Sequence, residues 1–146
     1  MKKRLLRLCV PFIVATVIVG CGGDGPADPD PPAVEPPPNL SGTYDLQSLT
    51  QSGVTLVPPA ATGTFTLTQT SSSGDTATGT LSLSVQVPVV GLIEDEGTFT
   101  VRTDGSWEQM GQQGQALGTF TLAGSVLTVM VTEPPAAVST TVWRRR

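Results

Sequence analysis

Side chains able to act as nucleophiles, bases or metal ligands are few in this chain, and their positions decide what chemistry is open to it. Cys9 and Cys21 are the only thiols, there is no histidine, and both lysines, Lys2 and Lys3, lie at the start. Beyond Cys21, therefore, the pairings that activate a serine or cysteine and the usual His and Cys sets that hold zinc have no members. One dense acidic run, Glu94-Asp95-Glu96, could offer oxygens to a calcium ion or a carboxylate pair to acid–base chemistry. Adjacent residues of a strand point to opposite faces, which argues against cooperation, and the run reads as solvated loop. The residue inventory predicts no catalytic residue, no metal site and no cofactor.

Cys21 stands in a particular setting. A basic start with Lys2, Lys3, Arg4 and Arg7 is followed by an apolar run from Leu8 to Val19 and then by Gly20-Cys21, the three-part layout of an export signal. The run is about a dozen residues, whereas a permanent membrane helix takes roughly 20. Ile18-Val19-Gly20-Cys21 resembles the lipobox of bacterial lipoproteins. That resemblance implies cleavage before Cys21, a diacylglycerol thioether on its sulfur, usually N-acylation, and a membrane partner held through those acyl chains. Gly22 in place of Asp favours the outer membrane of the cell envelope. Cys9 follows Arg7 by two residues without an apolar stretch before it, so neither cysteine reads as half of a disulfide.

Residues 1–20 are thus expected to be a signal peptide. Without them the remaining cations are Arg102, Arg144, Arg145 and Arg146 against twelve carboxylates. Nucleic acid is excluded as a partner on that balance, because neutralising phosphates needs a basic surface. Residues 21–39 carry the lipidated cysteine and a linker in which seven prolines alternate with acids. Such a segment buries no core, and in polyproline II geometry it reaches up to roughly 50 Å.

From residue 40 to 146 the period is two and the residues are those of strands. A phrase recurs: Gly42-Thr-Tyr-Asp-Leu46, Gly63-Thr-Phe-Thr-Leu67, Gly79-Thr-Leu-Ser-Leu83, Gly97-Thr-Phe-Thr-Val101 and Gly118-Thr-Phe-Thr-Leu122. Its first, third and fifth residues share a face, which puts Gly, a ring or Leu, and an aliphatic inside with hydroxyls outside. Eight strands are predicted near 42–50, 63–70, 77–87, 96–102, 106–110, 116–122, 125–132 and 138–144. The fold class expected is all-β, an antiparallel eight-stranded up-and-down meander closed as a barrel, since closure removes edges. Its inner set includes Tyr44, Phe65, Phe99, Trp107, Phe120 and, in the last strand, Val142.

An up-and-down order places the tight turns near 71–74, 104–105 and 123–124 at one end, with both termini of the domain. The longer links, 51–61, 88–95, 111–115 and 133–137, fall at the other. Val54, Leu56, Val57, Val89, Val90, Leu92 and Ile93 would then gather at one rim, as candidates to bind a small apolar ligand. The three terminal arginines would lie beside the tether, each adding about 1 kcal/mol near an anionic surface. Gly42-Thr-Tyr44, the meander and the late Arg144 resemble the lipocalin-like domains of small bacterial lipoproteins. Lipocalins generally have Gly-x-Trp here with a late Arg against the ring, so the resemblance implies that Tyr44 takes a cation–π contact from Arg144 and that the barrel binds small apolar molecules. The alternative expectation is a filled barrel that serves as a protein-interaction module of the envelope.

Overall fold

The computed structural model describes residues 34–88 and 90–146; the expected signal peptide, Cys21 and Val89 lie outside the described residues. β-branched and aromatic residues favour the pleat, and the chain forms β1 (Gly42–Gln51), β2 (Val54–Leu56), β3 (Thr62–Ser73), β4 (Thr76–Val87), β5 (Gly91–Arg102), β6 (Ser106–Gly111), β7 (Gly114–Ala123), β8 (Val126–Glu133) and β9 (Ser139–Arg145). β1 pairs with β3, each later strand pairs with the next, and β9 returns to β1, all antiparallel. Eight strands therefore close into an up-and-down barrel. β2, absent from the eight predicted strands, is a short extra one folded back on the end of β1.

The recurring glycines show why closure works. Gly79 lies opposite Phe99, Gly118 opposite Trp107, Gly97 opposite Leu81 and Gly63 opposite Val85. A Cβ on Gly79 would come within 2.6 Å of the Phe99 ring. At Gly79 and Gly63 the facing Phe99 ring and Val85 side chain thus take the space a Cβ would need, while at Gly97 and Gly118 it is the backbone of Met110 and Met130 that comes close. This lets large residues fill a narrow barrel without forcing strands apart. The result is an aromatic layer: Phe99 and Trp107 stack with centroids 5.5 Å apart, and Phe65 meets Trp107 at 6.1 Å and Trp143 at 5.1 Å.

Three readings of the sequence are corrected here. Trp143, not Val142, faces the core, with the tryptophan only 1% exposed. β1 skips a register position between Leu46 and Ser48, so its inward residues switch from Leu46 to Leu49, and β9 follows with Trp143 and Thr141 inside. Second, the link expected over 88–95 is only residues 88–90, closed by the Val90 N–H donating to the Val87 carbonyl at 3.1 Å. Leu92, Ile93 and the acidic run consequently belong to β5. Third, the link expected over 111–115 contracts to Gln112 and Gln113.

The end that carries both termini is closed by the chain that precedes β1. Leu40 is fully buried, its N–H donates to Gln69 Oε1 at 3.1 Å, and its carbonyl accepts from the Tyr44 hydroxyl at 2.8 Å. Pro37 is buried too, so the last residues of the expected linker lie on the barrel. The guanidinium over Tyr44 belongs to Arg145, 5.2 Å from the ring centroid, and not to Arg144. Its Nη2 donates to the Tyr44 hydroxyl at 2.6 Å and to the Asn39 carbonyl at 3.0 Å. Alternation again explains the correction: with Trp143 inward, Arg145 is inward and Arg144 is on the outer wall. Tyr44→Phe is expected to cost about 1–3 kcal/mol, because the lost hydroxyl leaves Arg145 and the Leu40 carbonyl without their shared partner. Urea unfolding followed by tryptophan fluorescence measures it, and a change below about 0.5 kcal/mol would contradict this account of the plug.

Candidate functional site: a cavity at the open end

The aromatic layer fills the barrel only part of the way. Above it the inner wall is made of smaller residues, and a cavity of about 250 Å³ opens among the links β1–β3, β6–β7 and β8–β9. Phe65, Trp143 and Leu46 form its floor, and Leu83, Val85, Val129 and Val131 line its sides. Leu83 and Val131 are only partly buried because they face this space.

One wall is polar. Asp95 points inward from β5 and is 4% exposed, the one buried charged residue among the described residues. Its Oδ1 accepts from the backbone N–H groups of Gln112 and Gln113 at 2.7 and 3.3 Å, and its Oδ2 accepts from Gln109 Nε2 at 3.2 Å. Gly111 makes this possible, since a Cβ there would overlap the carboxylate. Asp95 therefore ties the β6–β7 turn to β5. Gln51, Gln115 and Ser139 add neutral polar groups near the mouth.

The residues predicted for the rim divide. Ile93 lines the cavity and Leu56 packs partly against the core. Val54, Val57, Val90 and Leu92 are exposed at 51–70% and do not line the cavity. Val89 lies outside the described residues. Glu94 and Glu96 face outward while Asp95 faces inward, so the acidic run does not converge. Among the described residues there is no group of three or more His, Cys, Asp or Glu placed to hold a metal ion.

Sequence reasoning missed Trp143 and Asp95 as cavity residues. For Asp95 a signal existed: counting back by twos from Val101, Phe99 and Gly97 leads to Asp95 and Ile93 on the inner face. The predicted strand starts at 96, which leaves Asp95 in the preceding link.

Among the described residues the one ion pair belongs to the closed end. Arg146 bonds the Asp45 carboxylate at 2.7 Å across half-exposed side chains, which holds Asp45 below the usual carboxylate range. Asp104 is lowered in the same direction by its hydrogen bonds to Ser106 in the β5–β6 turn.

Comparison of the chain with protein-family models, with curated proteins and with solved structures finds no match in any of the three. The fold and the cavity therefore define it only as a closed eight-stranded antiparallel barrel with one open mouth.

Proposed function

We propose that the protein is a noncatalytic lipoprotein of the cell envelope, held on the outer membrane through acyl chains on Cys21, whose lipocalin-like barrel binds a small apolar ligand. The observation that carries the binding half is the open cavity with an aromatic floor. An apolar cavity of about 150 Å³ takes up benzene, so about 250 Å³ suits a ligand of one ring or a short alkyl chain and is too small for a whole long-chain lipid. The barrel wall supports a water-facing role. Thr64, Thr66, Thr80, Ser82, Thr98 and Thr100 point outward, the reverse of a barrel that meets lipid with apolar residues. The noncatalytic reading rests on the residue inventory, which leaves the mature chain without histidine or lysine.

Titration of the lipidated protein in nanodiscs with hexan-1-ol, with empty nanodiscs as the blank, tests the binding half. The Trp143 indole signal in NMR is expected to shift saturably, and Val129→Phe, which fills the cavity, is expected to abolish the shift. An unsaturable response in the parent protein would refute ligand binding. The exposed Val54, Val57, Val90 and Leu92 favour a second reading, a surface that docks another envelope protein. Substituting all four with serine would leave hexanol binding unchanged but would release a protein partner in a crosslinking experiment.

A further inference from the structure

We infer that the ligand of the cavity is a small organic cation, a protonated amine on a short apolar body, with its ammonium group against Asp95. This rests on the cavity being a ligand site and adds the chemical class. Asp95 is the one charged side chain on the cavity wall. Its three donors, two backbone amides and the Gln109 carboxamide, are all neutral. A carboxylate has about four acceptor positions, so Oδ2 keeps capacity beyond the bond from Gln109. A carboxylate removed from water without an opposite charge is costly, and a cation brought by the ligand supplies that charge where water screens it least.

The charges outside the cavity point the same way. Among the described residues the cations are Arg102, at the end of β5, and Arg144, Arg145 and Arg146, at the end of the chain. All four lie at the closed end. The open-end portions of β5 and β8 carry Glu94, Glu96 and Glu133 instead. The field at the mouth therefore draws cations in and repels anions. A fatty acid would bring its carboxylate to a wall with a like charge and no cation. An amine of the same length meets the floor of Phe65, Leu46 and Trp143 with its alkyl part and Asp95 with its head.

Three probes of matched shape separate charge from shape: hexylamine, hexan-1-ol and hexanoate, each titrated at neutral pH into the full lipidated chain in zwitterionic nanodiscs. Hexylamine is expected to bind about tenfold or more tighter than hexan-1-ol, as charge-assisted hydrogen bonds exceed neutral ones, and hexanoate weakest of the three. Asp95→Asn keeps an oxygen to accept from Gln112 and is expected to bring hexylamine level with hexan-1-ol. The comparison within the parent protein stands even where that variant fails to fold. Hexan-1-ol binding as tightly as hexylamine overturns the cation assignment and leaves the cavity as a ligand site. A saturable response to none of the three removes both.

Discussion

Trp143→Ala is expected to destabilise the barrel by about 3–5 kcal/mol, in the range of large-to-small changes at buried aromatic positions, while Val142→Ala should cost less than about 1 kcal/mol. The contrast follows from the phase of β9. Trp143 is 1% exposed, lies 5.1 Å from the Phe65 ring, and donates its indole N–H to Thr141 Oγ1 at 2.8 Å. Removing the ring withdraws the floor of the cavity as well as its contacts, and the closed wall cannot collapse far to refill the gap. Val142, one residue earlier, sits on the outer wall opposite Ser48. Urea unfolding of both variants, with Trp107 as the remaining fluorophore in Trp143→Ala, gives the two values. A larger loss for Val142→Ala than for Trp143→Ala would mean that β9 is set one residue out of the register described here.

Cys21→Ala is expected to abolish fatty-acyl incorporation altogether. Each buried methylene contributes about 0.8 kcal/mol, and one chain binds only marginally. On the proposed lipoprotein reading, stable attachment depends on two or three chains carried by Cys21. Metabolic labelling with palmitate followed by intact-mass analysis reads the outcome: the parent carries label and a diacylglycerol mass increment on Cys21, and the variant carries neither. Label retained by Cys21→Ala would remove the lipoprotein assignment while leaving the barrel and its cavity untouched.

These two variants lie on either side of what the chain reveals without coordinates. The glycine-headed phrases already announce the barrel, because alternation is local: in a pleated strand, residue type at every second position decides which face is buried. Tyr44, Phe65, Phe99 and Phe120 are accordingly inside, as their phrases predict. The up-and-down order and the end that holds both termini follow from the same local pattern and the turn residues. The lipobox-like residues around Cys21 are equally local, and the expectation of an anchor comes from them alone.

What the tertiary structure decided is the phase of segments that lack such a phrase. Val142 and Trp143 are adjacent apolar residues, and nothing within β9 says which one turns inward. Its pairing with β1, with the skipped position between Leu46 and Ser48, settles it. The same phase brings Arg145 and not Arg144 onto Tyr44. Asp95 reads as surface in a run of acids, yet β5 extends back to Gly91 in register with β4 and carries it inside. There Gln109 of β6 and the Gln112 and Gln113 amides of the β6–β7 turn supply its hydrogen bonds, from 14 to 18 positions away. Side-chain alternation is fixed by neighbours along the chain. Register, and with it the lining of the cavity, is fixed by neighbours across the sheet, which only the closed barrel brings together.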